Sequence, residues 1–120
     1  MSAVLIVDDE KDICEFLEFR LTHMGHSSLS AHNGVDALEV LKSHPEIKLV
    51  LSDVRMPKMD GIQLLSEIKA KNLVPHFIFM SGFSELNDEK AKKMGAEGLY
   101  GKPLDTEALL ERIDALLKAS

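Results

Sequence analysis

Short apolar runs that do not alternate with polar residues constrain this chain more than any other feature. Ala3-Val4-Leu5-Ile6-Val7 runs into Asp8-Asp9, and Ile47-Lys48-Leu49-Val50-Leu51-Ser52 runs into Asp53. A strand with one wet face alternates. A run without alternation marks a strand buried on both faces, as in a parallel sheet covered by helices. The carboxyl ends of such strands open into one crevice, where ligands bind. Carboxylates from two strand ends can therefore converge there. Clustered like charges repel unless they are protonated or bridged by a cation, and a hard, oxygen-seeking Mg²⁺ is the natural bridge.

The remaining chain repeats the same unit. From Glu10 to Met24, apolar residues recur at Ile13, Phe16, Leu17, Leu21 and Met24, a helical stripe that Gly25 stops. Ser27 to Ala31 is a second strand, polar enough for a sheet edge. Asn33 has the chemistry of an N-cap for a helix carrying Val35, Leu38, Val40 and Leu41, which ends before His44-Pro45. Met56 to Gly61 is a loop with turn chemistry, and Ile62, Leu64, Leu65 and Ile68 mark the next helix. His76 to Met80 forms a fourth strand ending in Ser81-Gly82. A helix is expected from about Glu85 to Met94, then a short fifth strand near Leu99-Tyr100, closed by Lys102-Pro103. Asp105 caps a last helix with Ala108, Leu109, Ile113, Leu116 and Leu117 inside. Five such strand–helix units predict a doubly wound α/β sandwich around a central five-stranded parallel sheet.

Composition excludes several function classes. With 120 residues, 45% of them hydrophobic, the chain can bury one real core. Its formal net charge of −6 argues against direct nucleic-acid binding, which needs Lys and Arg to displace counterions. Cys14 is the one cysteine, so an internal disulfide is impossible, and it reads as a small packing residue. Nothing resembles a signal peptide, and no apolar stretch approaches the ~20 residues of a membrane span, so a cytoplasmic protein without membrane contact is expected. His23, His26, His32, His44 and His76 lack metal-ligand spacing and read as surface or edge residues.

The strand ends alone compose a coherent site. They supply Asp8-Asp9, Asp53, Ser81 and Lys102: acids for a metal, a hydroxyl and a cation. This set suits a phosphoryl group better than a sugar, hydride or peptide. Mg²⁺ would neutralise phosphate oxygens, Lys102 would add a point charge and Ser81 a hydrogen bond. The best phosphoryl acceptor among these groups is a carboxylate, which forms an acyl phosphate. Asp53, alone on its strand between donors, is the preferred nucleophile.

These residues carry a resemblance. Asp8-Asp9 after the first strand, Asp53-Val54-Arg55-Met56-Pro57-Lys58-Met59-Asp60-Gly61 after the third, Ser81-Gly82 after the fourth and Lys102-Pro103 after the fifth resemble the receiver domain of two-component response regulators. Each motif alone is weak, but all four in order form a strong signal spanning nearly the whole chain. The resemblance implies a flavodoxin-like (βα)5 sandwich and phosphorylation of Asp53 by a sensor histidine kinase, a phosphotransfer protein or a small phosphodonor. It implies Mg²⁺, with Mn²⁺ as an alternative, bound directly by Asp9, Asp53 and the backbone carbonyl of Arg55, with Asp8 acting through water. It also implies that Lys102 pairs with Asp53 and then with the phosphoryl group, and that Ser81 swings toward a phosphoryl oxygen. That movement would bias the face made by the fourth helix, fifth strand and fifth helix toward a downstream target or output domain, or toward a phosphorylation-dependent homodimer. Pro103 would follow a cis peptide.

The chain departs from that pattern where many receivers carry an aromatic switch residue, three positions before the strand-five lysine. Leu99 stands there, with Tyr100 one place later. A one-residue offset turns a side chain to the opposite face. Either Tyr100 is a core residue and Leu99 replaces the switch, or a bulge near Gly98 and Gly101 re-aims the ring; the bulge is the rarer device. Arg55 and Phe83, two residues after Asp53 and Ser81, are expected at the mouth of the site. There Phe83 would block attacking water, and Arg55 would hold phosphoryl oxygens or pair with an acid. Two exposed loop residues without kinetic role are the alternative.

Rival classes are separable. An Asp-nucleophile phosphohydrolase would place a second Asp two residues after the nucleophile, where Arg55 stands. A flavin carrier would need a phosphate loop after strand one, where Asp8-Asp9 would repel the phosphate. A phosphorylation-independent docking module would not need the intact acid set. The expectation is one response regulatory domain over residues 1–120 with no output domain in the chain, a phosphoacceptor with slow self-hydrolysis rather than an enzyme.

Overall fold

The computed structural model describes residues 3–82 and 86–119. Its elements alternate without exception: β1 Ala3–Val7, α1 Lys11–His23, β2 Ser27–Ala31, α2 Gly34–Ser43, β3 Ile47–Asp53, α3 Gly61–Lys71, β4 His76–Ser81, α4 Asp88–Lys93, β5 Gly98–Gly101 and α5 Thr106–Ala119. All strand pairs are parallel, in the order β2-β1-β3-β4-β5. The strand order reverses direction at β1, so β1 and β3 flank the kind of switch point where ligands bind in open α/β sheets.

The non-alternating runs are buried on both faces, as their composition demands. Val4 and Ile6 of β1, Leu49 and Leu51 of β3, and Ile78 and Met80 of β4 pack with α1 and α5. Leu5, Val7, Val50, Phe77 and Phe79 point the other way and pack with α2, α3 and α4. This is the two-residue period of a strand feeding two separate cores. Each fully buried Leu, Ile or Phe contributes about 1.5–3 kcal/mol by leaving water. β2, the polar strand, lies at an edge with an alternating exposed pattern, as its sequence predicts.

Caps position the helices. Asn33 accepts the Asp36 N–H at 2.9 Å, Asp60 the Gln63 N–H at 2.8 Å, Asn87 the Lys90 N–H at 2.8 Å and Asp105 the Ala108 N–H at 3.2 Å. The Asn87 cap sets the start of α4 at Asp88, later than the start near Glu85 expected from composition; Glu85 itself lies outside the described residues. The apolar stripes are also narrower than expected. In α1, Cys14, Leu17 and Leu21 face the sheet, which rotates Phe16 and Met24 toward solvent, and Val35 and Ile62 are likewise exposed in α2 and α3. His26, at the entry to the edge strand β2, is largely covered: its side chain is only 9% exposed and its Nε2 lies 2.8 Å from Asp114 Oδ1 on α5. Among the described residues, no helix is long and apolar enough to cross a membrane.

Candidate functional site

The β1, β3, β4 and β5 strands end at one edge of the sheet and bring the predicted groups together. Asp8, Asp9 and Asp53 each offer a carboxylate oxygen, and these oxygens lie within 4.8 Å of one another. The three acids play unequal parts. Asp8 is buried, Asp53 is nearly so, and Asp9 is exposed. Asp8 Oδ1 accepts the Glu10 N–H at 2.9 Å and Asp53 Oδ1 accepts the Val54 N–H at 2.8 Å, which fixes both carboxylates.

Lys102 is the cation of the site. Its Nζ stands 2.9 Å from Asp8 Oδ2, 3.3 Å from Glu10 Oε1 and 3.4 Å from Asp53 Oδ2. The lysine is anchored by its own backbone, whose N–H donates to the Ser81 carbonyl at 2.6 Å, and the Lys102–Pro103 peptide is cis. Burial works against the ammonium, yet the hydrogen bond and charge of Asp8, with the charge of Asp53, more than offset it and raise the Lys102 pKa. Burial pushes the Asp8 carboxyl above its usual range, against the Glu10 N–H and Lys102. Burial and then the neighbouring Asp8 charge do the same to Asp53. A second cation would relieve both. The donors are hard oxygens converging within 4.8 Å, and they fit a Mg²⁺-like ion.

A cleft of about 140 Å³ opens above Asp53, lined by Glu10, Arg55, Ser81, Gly82 and Lys102. Arg55 and Ser81 thus stand at the same mouth as the acids. Gly61 supports the floor: a Cβ there would lie 2.2 Å from the Asp53 carbonyl oxygen, and its N–H donates to the Val54 carbonyl at 2.8 Å. Only a residue without a side chain lets α3 start this close to the end of β3.

The β5 question has a geometric answer. β4 and β5 pair without interruption from Ile78–Gly98 to Ser81–Gly101, so no bulge re-aims the ring. Leu99 packs on the α2, α3 and α4 side and Tyr100 on the α1 and α5 side. Phe83 lies outside the described residues. Two residues near the site are not among the predicted site residues, His32 reading in the sequence only as a surface or edge residue. Glu10 reaches Lys102, a contact its place directly after Asp8-Asp9 could have suggested. His32, at the end of β2, donates its Nδ1–H to the Asp8 carbonyl at 2.9 Å.

A doubly wound parallel α/β fold with an acid cluster, a lysine and a hydroxyl at the carboxyl ends of its strands is the architecture of a CheY-like domain. The chain belongs to the response regulator receiver domain family, whose model matches residues 4–114. It is 35% identical over 120 residues to the transcriptional regulatory protein CpxR homolog of Haemophilus influenzae, covering 100% of this chain and 52% of that protein. It is 35% identical over 115 residues to the probable transcriptional regulator ycf27 of Cyanidium caldarium, covering 96% of this chain and 46% of that one. The chain therefore spans about half the length of these curated relatives. The Francisella response regulator 1452 receiver domain superposes with a TM-score of 0.89 at 28% identity, covering 98% of this chain and 97% of the other. Response regulator TrrA of Thermotoga maritima, solved in complex with Mg(2+)-BeF, does so with a TM-score of 0.85 at 29% identity, covering 98% and 100%. Domains of this family are generally phosphoacceptor modules of two-component signalling rather than enzymes, and they engage histidine kinases and output domains.

Proposed function

We propose that Asp53 accepts a phosphoryl group from a phosphohistidine on a sensor kinase or phosphotransfer protein. The observation that carries this reading is the convergence of three carboxylates within 4.8 Å beside a lysine 3.4 Å from Asp53. In the transfer, a lone pair of an Asp53 carboxylate oxygen forms the new O–P bond. The P–N bond of the donor breaks, and its electron pair returns to the imidazole. Mg²⁺ (or Mn²⁺), held directly by Asp9, Asp53 and the Arg55 carbonyl and by Asp8 through water, would neutralise charge on the transferring oxygens. Lys102 holds one phosphoryl oxygen, Ser81 donates to another, and Val54 N–H orients Asp53. Water then slowly hydrolyses the acyl phosphate.

Arg55 and Phe83 set the lifetime of that state in this reading, Phe83 by shielding the phosphorus from water. Leu99 replaces the aromatic switch, so the signal reaches the α4-β5-α5 face by packing on the Leu99 side of the sheet while Tyr100 stays in the opposite core. That face then meets a downstream target, an output domain or a second copy. Residues 1–120 act as one response regulatory domain in the cytoplasm, and this domain makes no direct contact with nucleic acid or membrane. Incubation with Mg²⁺ and acetyl phosphate or phosphoramidate, followed by intact mass, tests the reading. One phosphoryl group is expected on the wild type and none on Asp53→Asn; no adduct on the wild type overturns it in favour of a docking module.

A further inference from the structure

Glu10 occupies the N-cap of α1, a position that favours short side chains able to bond the first-turn N–H groups. Its backbone is extended like that of a cap, with φ −90° and ψ 106°, yet its side chain makes no capping bond. The carboxylate turns across the cleft instead and places Oε1 3.3 Å from Lys102 Nζ. An ammonium has three N–H donors, and here three carboxylates claim it: Asp8 at 2.9 Å, Glu10 at 3.3 Å and Asp53 at 3.4 Å. Of these, Asp8 and Asp53 are 0% and 12% exposed at the side chain, whereas Glu10 is 63% exposed and lines the mouth of the cleft.

We infer that Glu10 is a positioning residue that restrains phosphoryl acceptance: it occupies a donor of Lys102 in the resting site and keeps a fixed negative charge at the rim through which an anionic phosphodonor must enter. The inference rests on the reading of Asp53 as acceptor. When a phosphoryl oxygen arrives, one carboxylate must yield its place on Lys102. Glu10 is the one that yields, because water can solvate it on release while Asp8 stays buried. Until then Glu10 offsets part of the positive charge that Lys102 offers to an incoming anion. The restraint favours a docked protein donor, which brings its own contacts, over free metabolite donors that rely on electrostatic capture.

Wild type, Glu10→Gln and Glu10→Asp are each incubated with saturating Mg²⁺ and acetyl phosphate, and the growth of the phosphorylated mass is timed at low ionic strength and at about 1 M salt, where screening falls to about 3 Å. Glu10→Gln is expected to react about three- to tenfold faster at low salt. The gap should close at high salt and be smaller for phosphoramidate, which carries less negative charge. Glu10→Asp keeps the rim charge and should keep the slow, salt-sensitive rate while raising the thermal midpoint by capping α1. Calorimetric titration of Mg²⁺ into each protein separates donor capture from metal affinity. A Glu10→Gln rate equal to or below the wild type, or a gain indifferent to salt, overturns the inference while leaving Asp53 as acceptor. A wild type that gains no phosphoryl group overturns the acceptor reading itself.

Discussion

Lys102 lies closer to Asp8, at 2.9 Å, than to Asp53, at 3.4 Å, the group it is proposed to serve. Asp8 is fully buried and could not tolerate the loss of its cation, so the lysine is held in the site whatever happens at Asp53. The Lys102 N–H bonded to Ser81 ties this side chain to the end of β4 as well. The proposed phosphoryl acceptance would then need only a small shift of an ammonium that is already positioned.

Replacing Lys102 by Met leaves Asp8 and Asp53 facing each other without a cation. The metal-free protein is expected to lose about 1–3 kcal/mol, and Mg²⁺ should restore part of that loss. Urea unfolding with and without Mg²⁺ measures both. A Met variant as stable as the wild type in chelator would show that the pair contributes nothing.

Mg²⁺ should stabilise the wild type by about 2.7 kcal/mol at a hundred times its dissociation constant, because only the folded chain gathers the three carboxylates. Asp9 is exposed and serves no structural bond among those described, so Asp9→Asn should fold normally yet lose most of the gain. Thermal midpoints across a Mg²⁺ titration give the comparison.

Gly61→Ala should destabilise the fold by about 1–3 kcal/mol and slow Asp53 phosphorylation together. The added Cβ would sit 2.2 Å from the Asp53 carbonyl oxygen and force either α3 or the end of β3 to move. Chemical denaturation and the phosphorylation rate are read on the same samples; a stable but inactive variant would place the whole displacement at the site.

Acid sensitivity should have a component from Asp88. Its Oδ1 accepts the Leu99 N–H on the edge strand at 2.9 Å, over Gly98, whose missing side chain admits it, and its Oδ2 pairs with Lys92 at 3.0 Å. These two bonds lower the Asp88 pKa, the Leu99 bond first. A carboxyl lowered on folding contributes stability above its unfolded value of about 3.9, lost as pH falls through the folded value. Asp88→Asn should therefore cost about 0.5–1 kcal/mol near neutrality, an amount discounted for solvent exposure, and nothing once Asp88 is protonated. Unfolding curves of the two proteins should converge in strong acid.

Cys14 should be silent to alkylating reagents at pH 8 in the native protein and react on unfolding. Burial, followed by the Asp8 charge, pushes its thiol up to about 12, and its Sγ donates to the Asp8 carbonyl at 3.5 Å. Rapid labelling of folded protein would contradict this.

Local sequence encoded the strands, the faces they bury and the acids at their ends, since each depends on neighbours in the chain: Val4 and Leu5 must face opposite cores because a strand alternates. The stop at Gly25 and the caps at Asn33 and Asp105 are local for the same reason. The limits of that legibility are equally physical. Phe16 and Val35 belong to apolar stripes, but the rotation of a helix on its sheet, set by how Leu17 or Leu38 packs, decides which stripe members stay wet.

By itself, then, the sequence determined a parallel sheet with Asp8, Asp9, Asp53, Ser81 and Lys102 at one edge, and with it the family. Only the tertiary structure decided that the Glu10 side chain turns from its cap position to Lys102, that Asp88 bonds Leu99, that His26 meets Asp114, and that β5 pairs with β4 without a bulge. Those contacts join different elements of the fold. Their partners are chosen by strand register and helix placement, which no neighbouring residue specifies.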